Sequence, residues 1–141
     1  MLQALFVPVL VSAGFRLLGV ARTQALLRHW ASSGRSRTQP PESAHSNIQA
    51  VCRAQRIAKR RFGVGGTCLT RSFTLWALLL RRGLSTDVRV GFRRSEGKLE
   101  GHAWVEYEGH PLNESRAVNG EYSVFKEPAA FDAWQPPDCW R

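Results

Sequence analysis

A cysteine stands between a glycine-rich stretch and a long apolar run in "GVGGTCLTRSFTLWALLLRRG", residues 63–83. The glycines predict a loop, Thr67 is a suitable N-cap, and the apolar run predicts a helix that begins near Cys68 and stops at Gly83. Unpaired N–H groups and a partial positive charge at a helix N-terminus stabilise a thiolate and lower its pKa. Cys68 is therefore a candidate nucleophile, and a backbone N–H beside it is a candidate oxyanion donor.

A nucleophilic thiol needs a general base, for which the sequence offers four histidines, His29, His45, His102 and His110. His29 lies in an apolar N-terminal stretch, His45 at the end of a polar segment and His110 after a predicted turn. His102 opens the predicted strand "GHAWVEY". A cysteine at a helix start followed by a histidine at a strand start favours His102 as the base.

These two residues must be positioned by a buried helix and by strands. After Gly83 the hydrophobic period changes to two, and "DVRVGF" and "GHAWVEY" predict strands. Glu108-Gly109 predicts a turn that leads into a third strand, "HPLNE". The predicted fold class is α+β, with an antiparallel meander after the helices.

The first half of the chain predicts helices. Residues 1–31 are predicted helical, 32–43 form a polar Ser/Gly/Pro-rich linker, and a second helix follows from residue 47. We therefore divide the chain into an N-terminal helical segment with its linker, 1–46, and a core, 47–141. The apolar start lacks the early positive charge of a signal peptide, and Pro8, Gly14 and Arg16 interrupt it. We expect it to pack on the core or on a partner in preference to a membrane.

The chain has 141 residues and a formal net charge of +9, which predicts an acidic partner such as a nucleic acid, an anionic membrane or an acidic peptide. Arg53, Arg56 and Arg60 fall on one helix face and are candidates to bind an acidic segment. The three cysteines show no zinc-ligand spacing and are too few for a disulfide scaffold. Free thiols suit the reducing cytoplasm, and no metal or cofactor is expected.

Two stretches taken together carry a family resemblance. "TCLTRSFTLWALLLRRG" followed by "GHAWVEYEGHPLNE" resembles the leader-cleaving cysteine peptidases of bacterial lasso-peptide biosynthesis, which have a transglutaminase-like, papain-like fold. The resemblance covers about residues 48–125 and implies that Cys68 is the nucleophile and His102 the base. It further implies the discrete form of the enzyme. The implied partners are then a precursor peptide, a separate leader-recognition protein and an ATP-dependent cyclase.

The third catalytic residue is open between two neighbours. Family position favours Glu114, where relatives often carry Asp. If Glu108-Gly109 forms a two-residue loop, however, strand alternation places Asn113 on the His102 side and turns Glu114 away. A three-residue loop reverses this outcome. Trp104 is a predicted core residue and also a candidate for substrate contact.

Two other functions compete with leader cleavage. The same catalytic residues can transfer an acyl group to an amine, so a transglutaminase-like acyl transferase is the nearest rival. A basic nucleic-acid-binding module is the rival without catalysis, but the sequence contains no RNA-binding or zinc-finger pattern. We therefore expect no nucleic-acid partner.

Overall fold

Helices come first in the chain and a small sheet follows. The computed structural model describes residues 2–33, 41–63, 66–112, 114 and 118–124. The elements, in chain order, are α1 (Leu2–Leu17), α2 (Gly19–Ser33), α3 (Pro41–Phe62), α4 (Cys68–Arg81), β1 (Asp87–Ser95), β2 (Lys98–Tyr107), β3 (His110–Pro111), α5 (Val118–Glu121) and β4 (Ser123–Val124). The predicted α+β class is confirmed.

Helix α4 is the centre of the core. Nearly all of its side chains are buried, as its apolar sequence predicts, and Leu75 and Leu79 are completely inaccessible to solvent. The helix ends at Arg81, just before the predicted stop signal Gly83, whose φ of 81° suits glycine. Leu84 N–H donates to the carbonyl of Leu79 and Gly83 N–H to that of Leu80, which satisfies the last carbonyls of the helix.

The sheet is antiparallel, with the strand order β3-β2-β1-β4. Two tight hairpins connect β1 to β2 and β2 to β3, and each has a glutamate and a glycine at positive φ: Glu96-Gly97 and Glu108-Gly109. Such turns match the twist of antiparallel strands. The turn predicted at Glu108-Gly109 is confirmed, whereas the first two strands are longer than predicted. Val90, Ala103 and Val105 form the buried face that packs with α4.

The N-terminal segment forms two helices where one was predicted. The chain turns at Leu18, and Gly19 has a φ of 79°. Both helices pack against α4, and the ring of Phe15 on α1 meets that of Phe73 edge-on at 5.2 Å. At the other end of α4, Arg81 donates to the carbonyl of Trp30 and lies 4.4 Å from its ring centroid. The expectation that this segment packs on the core is therefore met.

The predicted linker is shorter than its composition suggests. Helix α2 continues to Ser33 and α3 already begins at Pro41, because proline is well tolerated in the first turn of a helix. Within the predicted linker, 32–43, only residues 34–40 lie outside the described part of the chain. The division between 1–46 and 47–141 stays a prediction, and Val11 of α1 shares one apolar cluster with Phe73 of α4.

Candidate active site

Cys68 is the first residue of α4, as its position after the glycines predicts. Thr67 is the N-cap, and its hydroxyl accepts a hydrogen bond from the N–H of Thr70. Gly66 precedes the cap with a φ of 53°, and a Cβ there would come within 3.0 Å of the Thr70 side chain. The turn before Cys68 therefore requires glycine both for its backbone conformation and for its close approach to the helix.

A side-chain bond fixes the start of α4 to strand β2. The hydroxyl of Ser72, which is fully buried, donates to the carbonyl of Ala103 at 2.8 Å. Ser72 lies one helical turn after Cys68, and Ala103 directly follows His102. This bond therefore sets the distance between the thiol and the imidazole. The sequence reasoning missed this role, and a buried Ser four residues after the cysteine in a leucine-rich helix was its one available signal.

The thiol of Cys68 and the imidazole of His102 shift each other's pKa. Burial by itself raises the pKa of the Cys68 thiol, but bonds from His102 and from the backbone of Ala103 and Leu69 outweigh it, so the pKa is lowered. The bond to Cys68 in turn raises the pKa of His102, aided by the charge of Glu114 and opposed by burial. Both shifts favour a thiolate paired with an imidazolium, which is the reactive form of such a site.

Glu114 holds the other side of the imidazole. Its Oε1 lies 3.3 Å from Nε2 of His102, and both side chains are about one-fifth exposed. Because Nε2 faces the carboxylate, Nδ1 is the ring nitrogen left for the thiol. Cys68, His102 and Glu114 thus form a chain of three groups. Asn113, the other candidate, lies outside the described residues.

A comparison with protein-family models identifies the family of the chain. A family model described as "Transglutaminase-like superfamily" matches residues 9–126. The chain belongs to the transglutaminase-like superfamily. No curated protein and no solved structure matches the chain significantly. Membership in this superfamily is typical of cysteine peptidases and acyl transferases, both of which use a nucleophilic thiol. The match includes α1 from residue 9 onward as well as the sheet.

Two aromatic rings cover His102 in this transglutaminase-like site. The ring of Trp104 is stacked at 6.2 Å between centroids, and the ring of Tyr122 is tilted at 5.5 Å. Trp104 is completely buried, and its indole N–H donates to Glu106. Because Trp104 is completely buried, it presents no surface to a substrate, and the structure does not support its predicted substrate contact.

An ion pair holds Tyr122 over the site. Arg93 of β1 bonds to Glu121 at 2.8 Å and to Glu100 at 2.9 Å, and its guanidinium carbon lies 5.0 Å from the Tyr122 ring centroid. Gly91 makes room beneath, since a Cβ there would come within 3.0 Å of the Tyr122 side chain. The sequence reasoning did not connect Tyr122 with His102.

The basic face predicted on α3 is exposed to solvent. Arg53, Arg56 and Arg60 are exposed, and within the described part of the chain no carboxylate forms an ion pair with them. Cys52 on the same helix is half-buried, and burial raises its pKa. This second thiol therefore lacks the features that activate Cys68.

Within the described residues, no helix is both long and apolar enough to cross a membrane.

Proposed function

We propose that this protein is a cysteine peptidase that removes the leader from a ribosomally made lasso-peptide precursor. The observation that carries the proposal is the position of His102 between Glu114, whose Oε1 lies 3.3 Å from Nε2, and Cys68, whose thiol pKa His102 lowers. The choice of substrate is supported by the resemblance of the Cys-Leu-x-Arg-Ser helix start and the His-Ala-Trp-Val-Glu strand to the leader-cleaving peptidases.

The reaction runs through an acyl-enzyme. The Cys68 thiolate attacks the scissile carbonyl carbon and forms a C–S bond, while the oxyanion accepts hydrogen bonds from N–H groups at the start of α4. The imidazolium of His102 gives its proton to the leaving amine as the C–N bond breaks. Neutral His102 then takes a proton from water, whose oxygen attacks the thioester and releases a carboxylate and the thiolate. Glu114 stabilises the imidazolium in both steps.

The basic face of α3 is the proposed contact for an acidic segment of the leader. Arg53, Arg56 and Arg60 are exposed and without carboxylate partners among the described residues, so their charge is available to a ligand. Reversing these charges should raise KM more than it lowers kcat, because the lost contact is the same in the ground state and the transition state. A separate leader-recognition protein should accelerate cleavage by delivering the precursor.

The test is cleavage of a synthetic lasso-peptide precursor, with and without a leader-recognition protein, followed by mass spectrometry. We expect cleavage at a single bond, faster with the partner and absent in Cys68→Ala. Cleavage that persists in Cys68→Ala contradicts the proposal. Intact precursor in the presence of the partner and the wild-type protein contradicts the assigned substrate.

Acyl transfer is the second candidate because the same acyl-enzyme serves both reactions. The acceptor that reaches the thioester decides between them: water gives a carboxylic acid and an amine gives an amide. Adding a primary amine to the cleavage mixture distinguishes the two by the mass of the product. We expect the acid to predominate, and a product that is mainly the amide would assign the protein as a transferase.

A further inference from the structure

Strand β2 has one edge that is only partly covered. Two-residue hairpins close with a pair that exchanges both backbone bonds, and Ser95 and Lys98 form that pair at the β1–β2 turn. The even-numbered residues of β2 therefore direct their N–H and C=O groups toward β1. The odd-numbered residues direct theirs toward the opposite edge, and Tyr107 accordingly pairs with His110 of β3.

On the half of that edge nearer β3, the outward backbone groups bond to three different elements. Tyr107 pairs with β3, the carbonyl of Val105 accepts from Leu112 N–H at 3.0 Å, and the carbonyl of Ala103 accepts from Ser72. The backbone of Ala103 also lowers the pKa of the Cys68 thiol, and Ser72, which bonds to Ala103, lies one turn after Cys68 on the same helix. The edge thus leads directly to the thiol.

On the other half, nearer the β1–β2 turn, the outward backbone groups have no such partner among the described residues. The next two outward residues are Gly101 and Leu99, and no described residue bonds to their outward N–H or C=O groups. Leu99 is 61% exposed, and the side chains of Lys98 and Glu100 beside it are also exposed. Exposed charges of this kind prevent two copies from pairing edge to edge, while the backbone stays available to a peptide.

We propose that the open edge of β2 at Leu99 and Gly101 binds the peptide substrate as an added strand that leads its scissile bond to Cys68. The inference rests on the proposed peptidase function and names the surface that recognises the substrate backbone. The ligand is an extended peptide, held by main-chain hydrogen bonds whatever its side chains.

The spacing along the strand fits this role. Residues two apart in a strand are separated by about 7 Å, so Gly101 lies one such step from Ala103 and Leu99 lies two. If a peptide pairs with Gly101 and Leu99, its carbonyl group one or two residues beyond the residue paired with Gly101 lies beside the sulfur of Cys68. Gly101 presents no side chain that would obstruct a peptide approaching this edge.

Leu99→Pro tests the edge directly. Proline removes the outward N–H of residue 99, and a strand edge tolerates proline where that N–H faces away from the sheet. Leu99→Ala is the matched control, because it shortens the side chain and keeps the N–H. Two reagents are compared for alkylation of Cys68, namely iodoacetamide, which needs only the thiolate, and a set of pentapeptidyl chloromethyl ketones, which must bind as peptides and are long enough to reach residue 99.

We expect Leu99→Pro to slow the pentapeptidyl reagents by about three- to tenfold, the loss typical of one hydrogen bond. Iodoacetamide should react within about twofold of the wild-type rate, and Leu99→Ala should resemble wild type with both reagents. N-methylation of the pentapeptidyl reagents, one amide at a time, should slow wild type at alternate amides only. That N-methyl series decides the question even if the proline variant does not fold.

Equal loss with both reagents in Leu99→Pro, or pentapeptidyl rates unaffected by proline and by every N-methyl group, would overturn the inference. Failure of the proposed function has a different signature. In that case Cys68 of the wild-type protein would react with iodoacetamide no faster than an ordinary thiol, before any peptide is involved.

Discussion

The carboxylate of Glu114 lies 3.3 Å from Nε2 of His102, although the register of the preceding hairpin points the other way. Tyr107 pairs with His110, as a two-residue loop requires. Continued alternation would turn Glu114 to the opposite face. The ladder instead ends at Leu112: its N–H still donates to the carbonyl of Val105, while its own carbonyl faces the thiol of Cys52 at 3.9 Å. Beyond Leu112 the alternation no longer applies, and Glu114 reaches His102.

Glu114→Gln should lower kcat/KM by on the order of 10²-fold or more, by analogy with triad residues that orient a histidine and whose loss costs ~10⁴. The amide keeps the size of the side chain but removes the charge that stabilises the imidazolium. The measurement is steady-state cleavage of one peptide by both proteins.

Asn113→Ala is the matched comparison for that prediction, since it alters the neighbouring residue that strand alternation favoured. We expect it to change kcat/KM by less than about threefold, within the range of a substitution that touches no reacting group. A larger loss in Asn113→Ala than in Glu114→Gln would assign the third role to Asn113.

The part of the site that could be predicted is the part fixed by local sequence. Thr67, Cys68 and the glycines before them define a helix start through capping and backbone freedom, and both act within a few residues. His102 follows from its place at the start of a strand-like stretch. The contact of Glu114 could not be derived from alternation, because it depends on where β3 leaves the sheet.

Contacts between distant segments account for what else was missed. The bond from Ser72 to Ala103 and the ion pair from Arg93 to Glu121 each join residues about 30 positions apart. No periodicity or short motif reports such pairs. The break at Gly19 was missed for another reason, since an isolated glycine in an apolar helical stretch is compatible with either continuation or a turn.

Cys68 should react with iodoacetamide faster than Cys52 at neutral pH. Hydrogen bonds lower the pKa of Cys68, whereas burial raises that of Cys52, so the thiolate fraction differs in the same direction. Peptide mapping by mass spectrometry after a short exposure measures both.

Cys68→Ala should abolish cleavage, while Cys52→Ala and Cys139→Ala should retain most of it. Inactivation that tracks alkylation of Cys52 would remove Cys68 from the nucleophile's role.

The pH profile of kcat/KM should be bell-shaped. The acid limb reports formation of the Cys68 thiolate and lies below the pH of an ordinary thiol, because the pKa is lowered. The basic limb reports loss of the proton from His102 and lies above the pH of an ordinary imidazole, because that pKa is raised. The two limbs belong to the coupled pair. Glu114→Gln should move the basic limb to lower pH, and an unmoved limb would show that the carboxylate does not act on the imidazolium.

Ser72→Ala should lower both stability and activity. It leaves the buried carbonyl of Ala103 without its donor, which costs about 1–3 kcal/mol in the free energy of unfolding. Thr74→Ala is the control, because the buried Thr74 hydroxyl bonds only within α4, to Thr70. We expect both variants to be less stable, but Ser72→Ala alone to slow alkylation of Cys68, since only Ser72 ties the helix to the strand of His102. Equal alkylation rates in the two variants would reduce Ser72 to a structural residue.

Tyr122→Ala should lower kcat/KM by about tenfold to 100-fold, the range expected when a catalytic group loses its fixed position. The ring lies 5.5 Å from that of His102, and its removal admits water and frees the imidazole to rotate. Tyr122→Phe keeps the ring and should stay within about threefold of wild type, which separates packing from any role of the hydroxyl. Arg93→Ala should give an intermediate loss with little change in thermal stability, because the ion pairs of Arg93 are exposed and contribute little to folding.

If Tyr122→Ala retains full activity, the ring covers the site without positioning His102. If Tyr122→Phe is as impaired as Tyr122→Ala, the hydroxyl and not the ring is the part that acts.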